Sequence, residues 1–157
     1  MRIDWAKPDD AEALVPILSA LHVYDIADAS TPDPYAVLAH ARLLIDPITP
    51  HRLVIAWDLQ GKAIGLAAVG RFISISDFRL KSSLQFELKE LFVLPEMRGQ
   101  SVGSKLLEWI EKKAKEQDIC RLDWHVKQQN QRGIAFYERQ GGRIVEGRIS
   151  MRKLITG

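Results

Sequence analysis

The stretch Leu91-Phe92-Val93-Leu94-Pro95-Glu96-Met97-Arg98-Gly99-Gln100-Ser101-Val102-Gly103-Ser104 constrains this chain more than any other. An apolar strand is stopped by a proline, and a turn with one base and two glycines opens straight into a helix. The helix reads clearly, because Val102, Leu106, Trp109, Ile110 and Ala114 recur on one face. A helix start leaves about four backbone N–H groups without intrahelical partners, and its dipole favours negative charge. Small residues let an anion approach that backbone closely. The order of residues matches neither the nucleoside-triphosphate loop nor the three-glycine dinucleotide fingerprint. The spacing predicts a pyrophosphate cradle of another kind, or an ordinary strand–helix turn.

The rest of the chain sets this segment in an α/β frame. A strand is predicted around 2–6, then a helix after Pro8-Asp9-Asp10 with Ala13, Leu14, Ile17, Leu18 and Leu21 on one face. Pro16 should kink or restart that helix. A second helix is expected over 34–45. The period then changes to that of strands, over 51–58 and 62–74 as a hairpin and over 84–93, with Leu91-Phe92-Val93 buried on both faces. Further expectations are a helix over 101–117, a strand over 119–126, a helix over 131–140 stopped by Gly141-Gly142, and one or two closing strands in 143–154. The order β-α-α-β-β-β-α-β-α-β implies a mixed, mostly antiparallel central sheet flanked by helices, in a single domain over 1–157.

Charge and cysteine content narrow the function. With 22 basic and 20 acidic residues the net charge is +2, too balanced to indicate a nucleic-acid or membrane partner. Residues 1–86 carry 8 basic and 10 acidic side chains and residues 87–157 carry 14 and 10. That split suits a cationic substrate beside an anionic cofactor, and equally a chance scatter. A single cysteine, Cys120, excludes an intramolecular disulfide and a multi-cysteine zinc site, and no metal is expected. The first residues lack a signal-peptide pattern and no run reaches the roughly 18 apolar residues of a membrane span, so a cytoplasmic protein is expected.

Thirty-two residues after Arg98, a second pattern begins: Asn130-Gln131-Arg132-Gly133-Ile134-Ala135-Phe136-Tyr137-Glu138-Arg139-Gln140-Gly141. Together the two segments resemble the GNAT N-acetyltransferase superfamily. Its first motif has Gln or Arg, two residues, Gly, one residue, then Gly or Ala; here Arg98 and Gly103 match and Ser101 replaces the first Gly. Its second motif matches at Asn130, Phe136, Tyr137 and Gly141, with Gly133 where Ala is usual. Residues 88–93 and 122–126 look closest to the diamine (spermidine/spermine-type) branch, although its Glu-Asp pair is here Lys89-Glu90. The predicted element order also fits that fold.

The resemblance implies direct transfer of an acetyl group from acetyl-CoA to a primary amine of a small molecule or peptide. It implies a pantetheine arm between the strands at 88–93 and 122–126, touching Leu91, Phe92 and Val93, with the Val93 N–H donating to the acetyl carbonyl. Backbone amides of Arg98, Gly99, Gln100, Ser101, Val102, Gly103 and Ser104 would take the pyrophosphate. A homodimer is a further implication. Tyr137 is the candidate general acid: a phenol of pKa about 10 is protonated at neutral pH and can serve a thiolate of about 8.5. The other reading of Tyr137 is a core aromatic with a bonded hydroxyl. Asn130 would bond the cofactor arm or cap its helix.

Glu90 is the first candidate base and Glu87 the second. Being three apart on a strand they should face opposite ways, and surface ion pairing is the other reading of each. Tyr24, Asp25 and Asp28 are candidate acceptor contacts or a polar helix end. His125, Cys120 and the four tryptophans read as packing residues. Two rival functions remain open on sequence alone: a protein lysine or N-terminal acetyltransferase, and a non-catalytic acyl-CoA sensor.

Overall fold

Strand β1 (Arg2–Trp5) leads through a 3₁₀ turn at Pro8–Asp10 into helix α1 (Ala11–Asp25), and α2 (Pro34–Leu44) follows. Strands β2 (His51–Trp57), β3 (Ala63–Ile73) and β4 (Leu84–Val93) run in succession, and a second 3₁₀ turn, Pro95–Met97, joins β4 to α3 (Val102–Glu116). β5 (Leu122–Trp124) and α4 (Gln131–Arg139) complete the order. The computed structural model describes residues 1–155 apart from 27, 28, 77, 79–82 and 148. Residues 1–125 make one compact unit and the residues from 126 onward a second, smaller one. Among the described residues no helix is long and apolar enough to cross a membrane.

The first unit holds a sheet of order β1-β2-β3-β4-β5, antiparallel except for the β4–β5 pair, which is parallel and bridged by α3. Alternation divides its side chains between two faces. Leu53, Ile55, Leu66, Ala68 and Phe92 pack with Leu14, Ile17, Leu18, Val37 and Ala41 of α1 and α2. The intervening Gly65 turns toward α3, where a Cβ would stand 2.9 Å from Val102 Cγ1 and 3.0 Å from Leu106 Cδ1. That missing side chain lets the first turn of α3 press against β3. Leu106, Leu107 and Ile110 are wholly buried along the same helix.

Local chemistry explains the helix starts. The Asp10 carboxylate accepts the Lys7 N–H at 2.7 Å, and Asp33 accepts the Ala36 N–H at 3.0 Å, closing the entry to α2. Pro16 does not break α1: both Pro16 and Glu12, the residue whose carbonyl loses its partner, lie on the exposed side, where water serves that carbonyl.

Three expectations are corrected. The strand expected over 119–126 is only Leu122–Trp124, because Asp118 adopts φ +56° and the Ile119 N–H returns to the Ala114 carbonyl at 2.9 Å, ending α3. Cys120 is therefore exposed rather than a core residue, and His125 lies beyond the strand with its side chain 76% exposed. No strand forms in 143–154 among the described residues, where Ile144, Val145, Ile149, Met151 and Leu154 are all exposed. Alternating residues make a strand only when another strand offers its edge. Of the four tryptophans only Trp57 is buried; Trp5 and Trp109 meet edge to face at 5.0 Å, with the Arg52 guanidinium 4.0 Å from the Trp5 ring centre.

Candidate active site

The site begins with an interruption. β4 pairs with β5 only at Phe86, Glu87 and Leu88. On its other side, Leu88 pairs with Val69 and Glu90 with Ala68, so Lys89 is an extra residue in the ladder with β3. Such a bulge bends its strand and ends pairing. The half of β4 beyond Leu88 accordingly has no β5 residue opposite it. The Leu94 N–H donates to the Ile64 carbonyl on β3 at 3.1 Å, so by strand alternation Leu91 and Val93 present their backbone groups to the opposite, open edge.

The bulge overturns one sequence expectation. Glu87 pairs with Gly70 and Glu90 with Ala68, two positions of β3 that share a face, so both carboxylates stand on the α1–α2 face of the sheet. Their surroundings differ. Glu87 Oε1 is 2.8 Å from Lys89 Nζ and 3.8 Å from His125 Nδ1, a surface ion cluster. Glu90 accepts the N–H of Leu91 at 3.2 Å and lines a cleft of about 420 Å³ between α1 and α2. Leu18, Leu21 and Val37 give that cleft apolar walls, while His22, Asp25 and His40 join Glu90 in its polar lining. Tyr24 borders a neighbouring depression with Ser19, Thr31 and Pro95.

The turn after β4 is tightly built. The Met97 N–H bonds the Leu94 carbonyl at 2.9 Å and the Arg98 N–H bonds the Pro95 carbonyl at 3.3 Å. Gly99 has φ +80° and Ser101 φ +61°, ψ +13°, so Ser101 holds the left-handed conformation that its position asks for. The first rung of α3 is the Lys105 N–H to the Ser101 carbonyl at 3.0 Å. A helix start turns its first amides outward, and α3 aims its positive end at this turn.

Arg98 does something the sequence did not suggest. Its Nε donates to the Val93 carbonyl at 3.1 Å, and its guanidinium lies 4.8 Å from the Tyr24 ring centre and 5.6 Å from that of Phe92. Tyr24 and Phe92 are themselves in contact, with centroids 5.6 Å apart. The end of α1, the end of β4 and the turn are thus pinned by one side chain.

The second unit contributes α4. Asn130 Oδ1 accepts the Gly133 N–H at 2.9 Å, so the side-chain oxygen caps the helix. A Cβ on residue 133 would stand 2.6 Å from Asn130 Nδ2, which is why glycine suits this cap. Tyr137 is half-buried with its ring edge-to-face on Phe136 at 5.1 Å. Gln140 and Gly142 bond its carbonyl, closing the helix.

Residues 20–142 match the acetyltransferase (GNAT) family. The chain belongs to that family. It is 32% identical over 101 residues to an aminoalkylphosphonate N-acetyltransferase of Salmonella typhimurium, covering 62% of this chain and 59% of that protein. It is 35% identical over 88 residues to an uncharacterized N-acetyltransferase of Archaeoglobus fulgidus, covering 55% and 57%. The chain thus spans under three fifths of these relatives' length. An integron cassette protein from the mobile metagenome of V. cholerae shares the fold with a TM-score of 0.87, at 21% identity, over 98% of this chain and 91% of that one.

Within this GNAT chain the structure gathers Glu90, Leu91, Phe92, Val93, Arg98, Asp25 and Tyr24 around the open end of β4. Three expectations change. Glu87 is held in the surface ion cluster; the Leu91 amide is covered by Glu90; the Arg98 amide is taken by the Pro95 carbonyl. Leu91-Phe92-Val93 is only partly buried, since Phe92 alone of the three is enclosed. Asp28 lies outside the described residues. Sequence reading missed His22, His40 and the apolar walls of the cleft. A pairing of α1 with α2 across Val37 and Leu18 was the signal available, but no spacing marked the two imidazoles.

Proposed function

We propose that this chain is an acetyl-CoA-dependent N-acetyltransferase, acting as one domain, that moves an acetyl group directly to a primary amine of a small molecule or peptide. The observation that carries the reading is the open edge of β4 between Leu88 and Val93, which leads through the Pro95–Met97 turn to the start of α3. An extended pantetheine arm can lie along such an edge and bond the backbone groups that Glu90 and Arg98 leave uncovered. The amides at 99–104 fit a diphosphate, and acetyl-CoA would supply the acyl thioester.

The chain's own groups then divide the work. The Val93 N–H donates to the acyl carbonyl oxygen, an arrangement that typically contributes a few kcal/mol to the transition state. Glu90, held by the Leu91 N–H, takes the proton of an ammonium entering the α1–α2 cleft, which leaves a neutral amine to attack. As the new C–N bond forms and the C–S bond breaks, the Tyr137 phenol would give its proton to the departing thiolate, and the second proton shed by the nitrogen would restore the phenol through solvent. Asn130 shapes α4 beneath Tyr137.

The test is calorimetric titration of acetyl-CoA, followed by CoA release with a panel of amines. The panel includes polyamines, for the diamine-like strands; an aminoalkylphosphonate, for the activity named in the Salmonella relative; aminoglycosides; and lysine peptides. Binding with release on at least one amine is expected. Binding without release across the panel would make the chain an acyl-CoA sensor, and absence of binding would remove the reading altogether.

A further inference from the structure

We propose that the outer edge of β1 is an interface at which two copies of this chain join, antiparallel about a two-fold axis, into one continuous sheet. The inference stands apart from the transferase reading. β1 is the last strand on its side of the sheet, and among the described residues no strand pairs with its far edge. The Ala6 N–H donates to the Leu53 carbonyl at 2.8 Å, so by alternation Arg2 and Asp4 also turn their backbone groups to β2, whereas Ile3 and Trp5 turn theirs outward. An outward row of N–H and C=O groups is a template for another strand.

The side chains say which strand fits. Trp5 meets Trp109 of α3 at 5.0 Å, which puts Ile3 and Trp5 on the α3 face. The Arg2 guanidinium lies 5.4 Å from the Trp57 ring centre, which puts Arg2 and Asp4 on the opposite face. Outward groups must meet outward groups, so Ile3 can face the partner's Ile3 or the partner's Trp5, or Trp5 can face the partner's Trp5. Charge favours the first. It sets Arg2 directly opposite the partner's Asp4, twice by symmetry, in the close pairing where side chains approach most nearly. Ile3 against the partner's Trp5 would instead bring Asp4 against the partner's Asp4, and Trp5 against the partner's Trp5 would leave Asp4 facing an alanine. An isologous joint requires this kind of self-complementarity. Within one chain Arg2 and Asp4 meet at only 3.5 Å, with 60% and 46% of their side chains exposed, so each has room for a second partner. On the other face Ile3, Trp5 and Trp109 are all only partly buried and give the joint an apolar seam.

The experiment is sedimentation equilibrium of the full chain, with no residues added before Met1, over a concentration series reaching hundreds of micromolar. The parent is expected to dimerise. Arg2→Asp and Asp4→Arg each turn the paired attractions into like-charge contacts and should weaken the dimer roughly tenfold or more. Mixed in equal amounts, the two variants place an acidic side chain opposite a basic one at every such contact, so the mixture should pair nearly as tightly as the parent. That recovery separates a broken interface from a misfolded chain. Ile3→Pro removes an outward N–H and no bond to β2, and should also weaken pairing, with the melting temperature as the check on folding. A parent that stays monomeric throughout the series, a dimer indifferent to the charge reversals or to the proline, or a mixture no tighter than its separate components overturns the proposal.

Discussion

Replacing Arg98 by methionine separates two roles for this side chain. The structure places its guanidinium on the Val93 carbonyl, whereas a basic side chain in this turn could instead meet an anion bound there. A hydrogen bond to a charged donor contributes about 1.5–3 kcal/mol, and each cation–π contact about 0.5–1 kcal/mol at an exposed site. Tyr24 is 58% exposed, so the low end applies, and the hydrogen bond with the Tyr24 contact alone totals about 2 kcal/mol. For a chain of 157 residues that is roughly a 4–8 °C fall in Tm. The catalytic consequence follows from what the contact pins. With the Val93 carbonyl released, the N–H on the same edge loses its aim, and kcat should fall roughly 10- to 100-fold. Acetyl-CoA affinity should change little. Arg98→Lys keeps the charge but not the planar donor, and should recover only part of the rate. Thermal melts, calorimetry and steady-state kinetics read all three quantities. A tenfold loss of acetyl-CoA affinity with kcat intact would refute the positioning role and return Arg98 to the diphosphate.

Ser101→Gly should raise Tm by about 1–3 °C, since relief of a left-handed residue, about 1–2 kcal/mol, exceeds glycine's extra unfolded-state entropy of about 0.5–1 kcal/mol. A lower Tm would mean that the hydroxyl holds the turn. Tyr137→Phe should depress kcat far more than acetyl-CoA affinity, and an unchanged kcat in stopped-flow CoA release would exclude the phenol as the acid. Glu116 has a pKa lowered from 4.5 by its hydrogen bond to Lys113 Nζ, 2.6 Å away, which outweighs the opposing effect of desolvation and is aided by the charges of Lys113 and Lys112. Its charged form therefore stabilises the fold above 4.5, and this contribution vanishes as pH falls through the depressed value. Glu116→Gln should melt lower than the parent at neutral pH, with the gap closing in acid and in high salt; a gap independent of pH would point to another cause.

The parts of this fold that were readable share a cause. β4 was anticipated at Leu84–Val93 because a proline follows it and its apolar residues alternate, and α3 because its buried face repeats at 3.6 residues. Asp33 with Pro34 marked the start of α2 in the same way. What escaped depended on relations between segments. Nothing about Lys89 itself distinguishes it from an ordinary strand residue; it becomes extra only against the count of β3. The brevity of β5 follows from a left-handed Asp118 that no residue preference announced. The site divides likewise: the turn at 98–104 could be located from its glycines, whereas the partner of the Arg98 side chain required the end of α1 to be in place. The exposed apolar residues of 143–154 carry a strand-like pattern that, within the described residues, found no edge.

The bulge also says which kind of genetic change this chain can absorb. The Lys89 side chain reaches outward to Glu87 and is replaceable, so most substitutions there should be silent. The backbone unit is another matter. Removing one codon would leave both carboxylates on the same face but straighten β4 along its parallel neighbour, shutting the open edge beyond Leu88. A chain so shortened would keep every residue of both motifs and still lose the exposed backbone that its bend sets apart.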